Sequence, residues 1–128
     1  VWLRRLIEGQ PLEVWGGDQL RDFAYVDDAV DAFIATALCP ATEGKVLNLG
    51  GSPPISLRDV AQMLIALNGG GSYALRDFPM DRKRIDIGDY YTDDRALRQV
   101  TGWAPTTDIE TGLRRSLDYY RQTLPRYL

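Results

Sequence analysis

The chain of 128 residues contains no histidine and a single cysteine, Cys39. The first absence removes the His-based acid-base and triad chemistries and the usual zinc-enzyme ligand sets. The second removes any internal disulfide and leaves a reducing cytoplasm as the expected compartment. No apolar run approaches the ~20 residues that a membrane-spanning helix needs. No excess of positive charge exists either: the net charge is −3, which argues against a general nucleic-acid or anionic-membrane surface. No internal repeat, low-complexity tract, G-x-G-x-x-G or Walker pattern occurs. What remains is an ordinary globular composition, 45% hydrophobic and 26% charged, enough for one compact domain with a hydrophobic core.

Periodicity and turn chemistry give an alternating α/β order, richer in helix than in strand. Residues 1–8 carry Trp2, Leu3, Leu6 and Ile7 at helical spacing, stopped by Gly9. A chain that opens mid-helix on valine is expected to be cut from a longer one, or to have been processed. Residues 11–15 read as a short strand, 16–18 as a tight turn, and 22–26 as extended with Phe23 and Tyr25 on one face. Asp27 is the expected N-cap of a helix with Ala29, Val30, Phe33, Ile34, Ala37 and Leu38 on one stripe, closed by Pro40. Residues 45–49 (KVLNL) read as an apolar strand. Ser56 with Asp59 forms a capping box, with Ile55 and Val60 as its staple, and starts a helix through Leu67 that ends at the 69–71 glycines. Residues 73–78 read as a strand. Asp93 is placed to cap a short helix bearing Leu97 and Val100, stopped by Gly102. Thr107 and Glu110 form a second capping box for a helix with Ile109, Leu113, Leu117 and Tyr120, ending before Pro125.

The 45–49 strand poses a packing question. Lying between amphipathic helices, it suits a parallel sheet covered on both faces, yet few other strands are present to flank it. Either a small mixed sheet closes on itself, or the neighbouring strands belong to residues outside this chain.

The chemistry centres on residues 16–33, GGDQLRDFAYVDDAVDAF. Arg21 follows a Gly-Gly turn and precedes an aromatic, extended run. It reads either as a surface arginine paired with Asp18 or Asp22, or as a fork aimed at phosphate. In the second reading Gln19 lies on the same face of the extended chain and Trp15 stands before a turn that permits close backbone approach. A planar aromatic, an amide and a guanidinium converging on one cleft suit a nucleotide. Arg82-Lys83-Arg84 followed by Asp86 is a solvated loop or a diphosphate clamp with a ribose acceptor. Gly50-Gly51-Ser52 sits where phosphate loops occur, but Pro53 and Pro54 remove backbone donors, so it reads as a structural turn. Cys39 reads as a small packed residue, and Asp27-Asp28 and Asp93-Asp94 as helix starts complementing the dipole.

Four segments then carry a resemblance: RDFAYVDDAVDAF, KVLNLGG, RKRIDIGDYYTDDRALRQVTGWAP and GLRRSLDYYR. In this order they resemble the C-terminal part of the extended short-chain dehydrogenase/reductases, the NAD-dependent nucleotide-sugar epimerases and dehydratases. The resemblance covers essentially the whole chain. It implies an α/β, helix-rich, substrate-binding portion of a Rossmann-type enzyme over residues 1–128, with residues 22–50 packing on a separate dinucleotide-binding sheet. It implies that Arg21 and Gln19 meet the diphosphate, Trp15 the base, and Arg82 and Asp86 phosphate and ribose. The turn GGDQLRDF is one residue shorter than the commoner form in that family. NAD, a Tyr-x-x-x-Lys proton-transfer pair and the sugar chemistry are then expected in the preceding half, because no tyrosine here has lysine four places on. The ligand implied is a UDP- or dTDP-sugar, with a UDP-glucose 4-epimerase-like parent, homo-oligomeric assembly and no catalytic residue in this chain. The alternative is a non-catalytic module that binds nucleotide-sugars or partner proteins.

Overall fold

The computed structural model describes residues 1–79 and 86–127. The helices are α1 (Trp2–Ile7), α2 (Val26–Leu38), α3 (Leu57–Asn68), α4 (Arg95–Thr101) and α5 (Ile109–Thr123), and the strands are β1 (Leu12–Trp15), β2 (Leu20–Arg21), β3 (Ile55–Ser56) and β4 (Tyr73–Arg76). Two small sheets result: β1 pairs parallel with β4, and β2 antiparallel with β3. The α/β, helix-rich class expected from the sequence is the class observed.

Alternation in β1 turns Leu12 and Val14 fully inward, where they meet Leu6 from α1, Val60, Ala61 and Leu64 from α3, and Leu117 from α5. The Ser56–Asp59 capping box forms as read, with Asp59 N donating to Ser56 Oγ at 3.0 Å and the hydroxyl donating to Asp59 Oδ2 at 2.7 Å. Because α3 begins immediately after β3, that cap also fixes where the β2–β3 pair lies.

A second, smaller cluster joins Ala32 of α2 to Leu97 of α4 and to Trp103, with Leu47 and Leu49 packed on it. Asp28 locks this cluster. It is 2% exposed, and its carboxylate accepts from Thr106 N (3.1 Å), Thr106 Oγ1 (2.8 Å) and Thr107 N (3.0 Å). Its carbonyl accepts from Trp103 Nε1 at 3.0 Å. Burial alone would push this carboxyl up; the hydrogen bonds from Thr106 and Thr107 outweigh it and hold the group below its ordinary value.

Several local expectations are corrected. Tyr25, not Asp27, is the N-cap of α2, so both acids fall within the first turn and Asp28 is free to turn inward. Asp94 rather than Asp93 precedes α4, and Asp93 instead accepts from Arg95 N at 3.1 Å. Asp108, not Thr107, caps α5 through Thr111 N at 2.8 Å, since Thr107 N is taken by Asp28. The run expected to be extended over residues 22–26 follows a short strand at Leu20–Arg21 and stops one residue early, because Val26 already opens α2. Residues 45–49 have no regular secondary structure and pair with no strand among the described residues. Val46 is accordingly 97% exposed, and Val30, Phe33 (71%), Ile34 and Leu38 (78%) form an exposed apolar stripe on α2. The apolar stripe read in α2 exists, but most of it faces outward.

Candidate functional site

The Gly16-Gly17 turn at the end of β1 is built for close approach. Both glycines have positive φ, 71° and 104°, and a Cβ on Gly16 would stand 2.8 Å from the Phe78 ring. Gln19 staples this turn to itself: its Oε1 accepts from Gly17 N at 2.6 Å and its Nε2 donates to Trp15 O at 2.8 Å. The first amides of α3 complete the brace, Leu57 N donating to Gln19 O and Arg58 N to Gly17 O. Arg58 also pairs with Asp18 at 2.7 Å. Gln19 therefore shapes the turn that carries Trp15. The Trp15 ring lies 6.4 Å from that of Phe78, tilted by 46°, giving a two-ring aromatic wall.

Arg21 lies between a strand and an isolated bridge. It pairs with Ile55 of β3 and bridges in parallel to Tyr90. Its Nη1 donates to the carbonyls of Leu20 (2.7 Å) and Gly88 (2.5 Å). Among the described residues Nε makes no hydrogen bond and Nη2 meets only Asp86, at 3.7 Å. Both side chains are about three-quarters buried, at 23% and 25% exposed. The edge left over, Nε with Nη2, is the edge a guanidinium uses for bidentate binding of an oxyanion. The Asp18 or Asp22 pairing considered for Arg21 does not form: Asp18 pairs with Arg58, and Asp22 Oδ2 accepts from Thr92 N at 3.2 Å.

The structure thus brings Arg21 and Asp86 together and sets Trp15 and Gln19 on the adjoining turn. Arg82, with Lys83 and Arg84, lies outside the described residues. Asp22 also lines an open cleft of about 540 Å³ with Ser52, Thr92, Asp94 and Arg98. The 50–52 turn is structural, as its prolines suggested: Ser52 N donates to Phe23 O at 2.8 Å, and a Cβ on Gly51 would stand 2.0 Å from that same oxygen. Cys39 is half-buried, with Sγ donating to Val100 O at 3.3 Å.

Phe78, Gly88 and Asp89 were not read as site residues. The signal for Phe78 was its place just beyond β4, which the parallel register puts beside Trp15. The signal for Gly88 and Asp89 was a Gly-Asp pair closing an aperiodic segment, and the glycine indeed adopts φ +65°.

The helix-rich α/β arrangement is that of Rossmann-type epimerases and dehydratases. It overlays UDP-glucose 4-epimerase from Thermotoga maritima, solved with UDP-glucose, with a TM-score of 0.78 and 25% identity, over 96% of this chain and 38% of that one. UDP-glucuronic acid 4-epimerase from Bacillus cereus, solved with UDP-glucuronic acid and NAD, overlays with a TM-score of 0.79 at 25% identity, over 94% and 38%. Residues 1–50 match the model of the NAD dependent epimerase/dehydratase family. Curated relatives include UDP-glucuronate 4-epimerase of Thermodesulfobacterium geofontis, 28% identical over 96% of this chain, and UDP-glucuronic acid decarboxylase 1 of Xenopus tropicalis, 29% identical over 96%. The chain is thus similar to members of the NAD dependent epimerase/dehydratase family, and it spans 37% and 28% of the length of those two proteins.

The glycine pair ahead of α3, Gly50-Gly51, is packed against the Phe23 carbonyl, and prolines follow it.

Proposed function

We propose that this chain is the nucleotide-sugar-binding portion of an NAD-dependent epimerase or dehydratase, of the UDP-glucose 4-epimerase kind. The observation that carries the proposal is the Arg21 guanidinium. With Nη1 spent on two carbonyls, it presents a pre-oriented Nε/Nη2 edge in a largely buried position, suited to a diphosphate. Trp15, paired with Phe78, is assigned to the base, Gln19 holds the turn that carries it, and Asp86 is assigned as the acceptor of ribose hydroxyls. Arg82 is assigned as a second phosphate ligand from the sequence alone. Binding energy taken from the nucleotide, remote from the reacting sugar, would fix the sugar's position.

NAD, held by a Rossmann-type region, would supply oxidation of a sugar hydroxyl. We place that region against residues 22–50, over the exposed apolar face of α2 and Val46. This chain's own residues bind and orient. It carries no Tyr-x-x-x-Lys pair, and by itself it turns over no nucleotide-sugar. The working assembly is taken to be a cytoplasmic homo-oligomer.

One observation favours a second reading, a self-standing binding module: the larger core, from α1, β1, α3 and α5, closes without α2. Both readings share the ligand, so calorimetry with UDP-glucose tests the binding claim itself. Arg21→Ala should weaken binding at least tenfold, the loss expected when a charge-assisted contact is removed. Unchanged affinity sinks the assignment.

A further inference from the structure

The Arg21 fork depends on a carbonyl, Gly88 O, that belongs to a segment with no regular structure of its own. Something must hold that segment against β2, which is only two residues long. Three ties do so. Leu20 N donates to Asp89 Oδ1 at 2.8 Å, Tyr90 N donates to Leu20 O at 3.0 Å, and Thr92 N donates to Asp22 Oδ2 at 3.2 Å. In a strand ladder the Leu20 N–H would go to a backbone carbonyl. Here a side-chain carboxylate takes it.

That substitution has a geometric consequence. Because Asp89 reaches Leu20 N through its side chain, the backbone just before it is released from the ladder. Gly88 turns into the left-handed region, φ +65°, and its carbonyl is delivered to Arg21 Nη1. Leu20 sits between the two contacts: its N–H is held by Asp89, and its carbonyl accepts from both Arg21 Nη1 and Tyr90 N. The tie through Asp22 lies further along and touches neither Gly88 nor the guanidinium. Asp89 forms no hydrogen bond or ion pair with Arg21; it acts on the residue before and the carbonyl beside it.

We propose that Asp89 is a positioning residue for the anion site, holding the Gly88 carbonyl on Nη1 so that the Nε/Nη2 edge of Arg21 keeps the orientation a diphosphate requires. This rests on the reading of Arg21 as the diphosphate ligand. It adds to that reading a residue whose role is to set the plane of the fork rather than to touch the ligand.

The test is isothermal titration of the chain with UDP and with uridine, which share the base and ribose and differ in the diphosphate. Asp89→Ala should lower UDP affinity roughly threefold to tenfold, the range for one solvent-accessible hydrogen bond, and leave uridine affinity unchanged. Asp89→Asn keeps an oxygen acceptor in place and should stay within about threefold of the unaltered chain, whereas Asp89→Glu displaces the acceptor and should behave like Ala. In an Arg21→Ala background, Asp89→Ala should produce no additional loss. An equal loss for uridine, or the same loss in that background, overturns the proposal and leaves Asp89 a merely structural contact. Should Asp89→Ala fail to fold, the Asn and Glu variants decide, and Glu binding UDP as tightly as Asn overturns it. If Arg21→Ala itself binds UDP normally, the reading of Arg21 fails, which is a different result from failure at Asp89 alone.

Discussion

Nη1 of Arg21 donates to the carbonyl of Gly88, 67 positions further along the chain. This long-range contact turns a flexible cation into an oriented one. A guanidinium with one nitrogen already committed has fewer orientations to lose when an oxyanion arrives, so more of the contact energy appears as affinity.

Gly88 is the residue on which that contact turns. Among the described residues nothing would lie within 4 Å of a Cβ there, so a substitution acts chiefly through the backbone at φ +65°. Gly88→Ala should cost about 1–2 kcal/mol of conformational strain. That strain is relieved by withdrawing the carbonyl from Arg21. UDP affinity should fall while the melting temperature drops by only several degrees, read by calorimetry and thermal denaturation on one preparation. A large drop in melting temperature with full affinity would contradict the assignment.

Asp28 makes the stability of the chain pH-dependent. Its folded carboxyl lies below the ordinary value near 3.8, because hydrogen bonds from Thr106 and Thr107 outweigh burial. The sign follows: its contribution is complete above the unfolded value and is lost as pH falls through the lowered folded value. Asp28→Ala leaves buried donors unanswered and should destabilise by about 2–3 kcal/mol at pH 7, the range for a charged hydrogen-bond acceptor. The difference between variant and unaltered chain should shrink at the acid end of a urea denaturation series, and a constant difference would count against this origin.

The outward face of α2 should govern behaviour in solution. Phe33 and Leu38 are 71% and 78% exposed, so Phe33→Glu with Leu38→Glu costs the fold little, within about 0.5 kcal/mol for surface positions. It should sharply reduce binding of an apolar dye and self-association by light scattering. Unchanged dye binding would place the apolar surface elsewhere.

What the sequence disclosed follows interaction range. The Ser56–Asp59 box, the Gly16-Gly17 turn and the inward alternation of Leu12 and Val14 are decided within a few residues, and each was legible. The cap positions slipped by one or two residues because rows of acids offer several equivalent starts, and only the fold shows that Asp28 is claimed by Thr106 and Thr107. The strand read at residues 45–49 has the right composition, but a ladder needs a partner and none lies among the described residues. At the candidate site, Arg21, Asp86 and Trp15 could be named from residue type and resemblance. The Gln19 staple, the Phe78 wall and the Gly88 and Asp89 brace could not, because each exists only through a contact between distant segments.

The most direct measurement of the central claim is the ratio of UDP to uridine affinity, by isothermal titration, for the chain and for Arg21→Ala. The account predicts a ratio above about ten for the unaltered chain, the minimum for a charge-assisted bidentate contact, collapsing toward one in the variant. A ratio that survives the loss of Arg21 would contradict it.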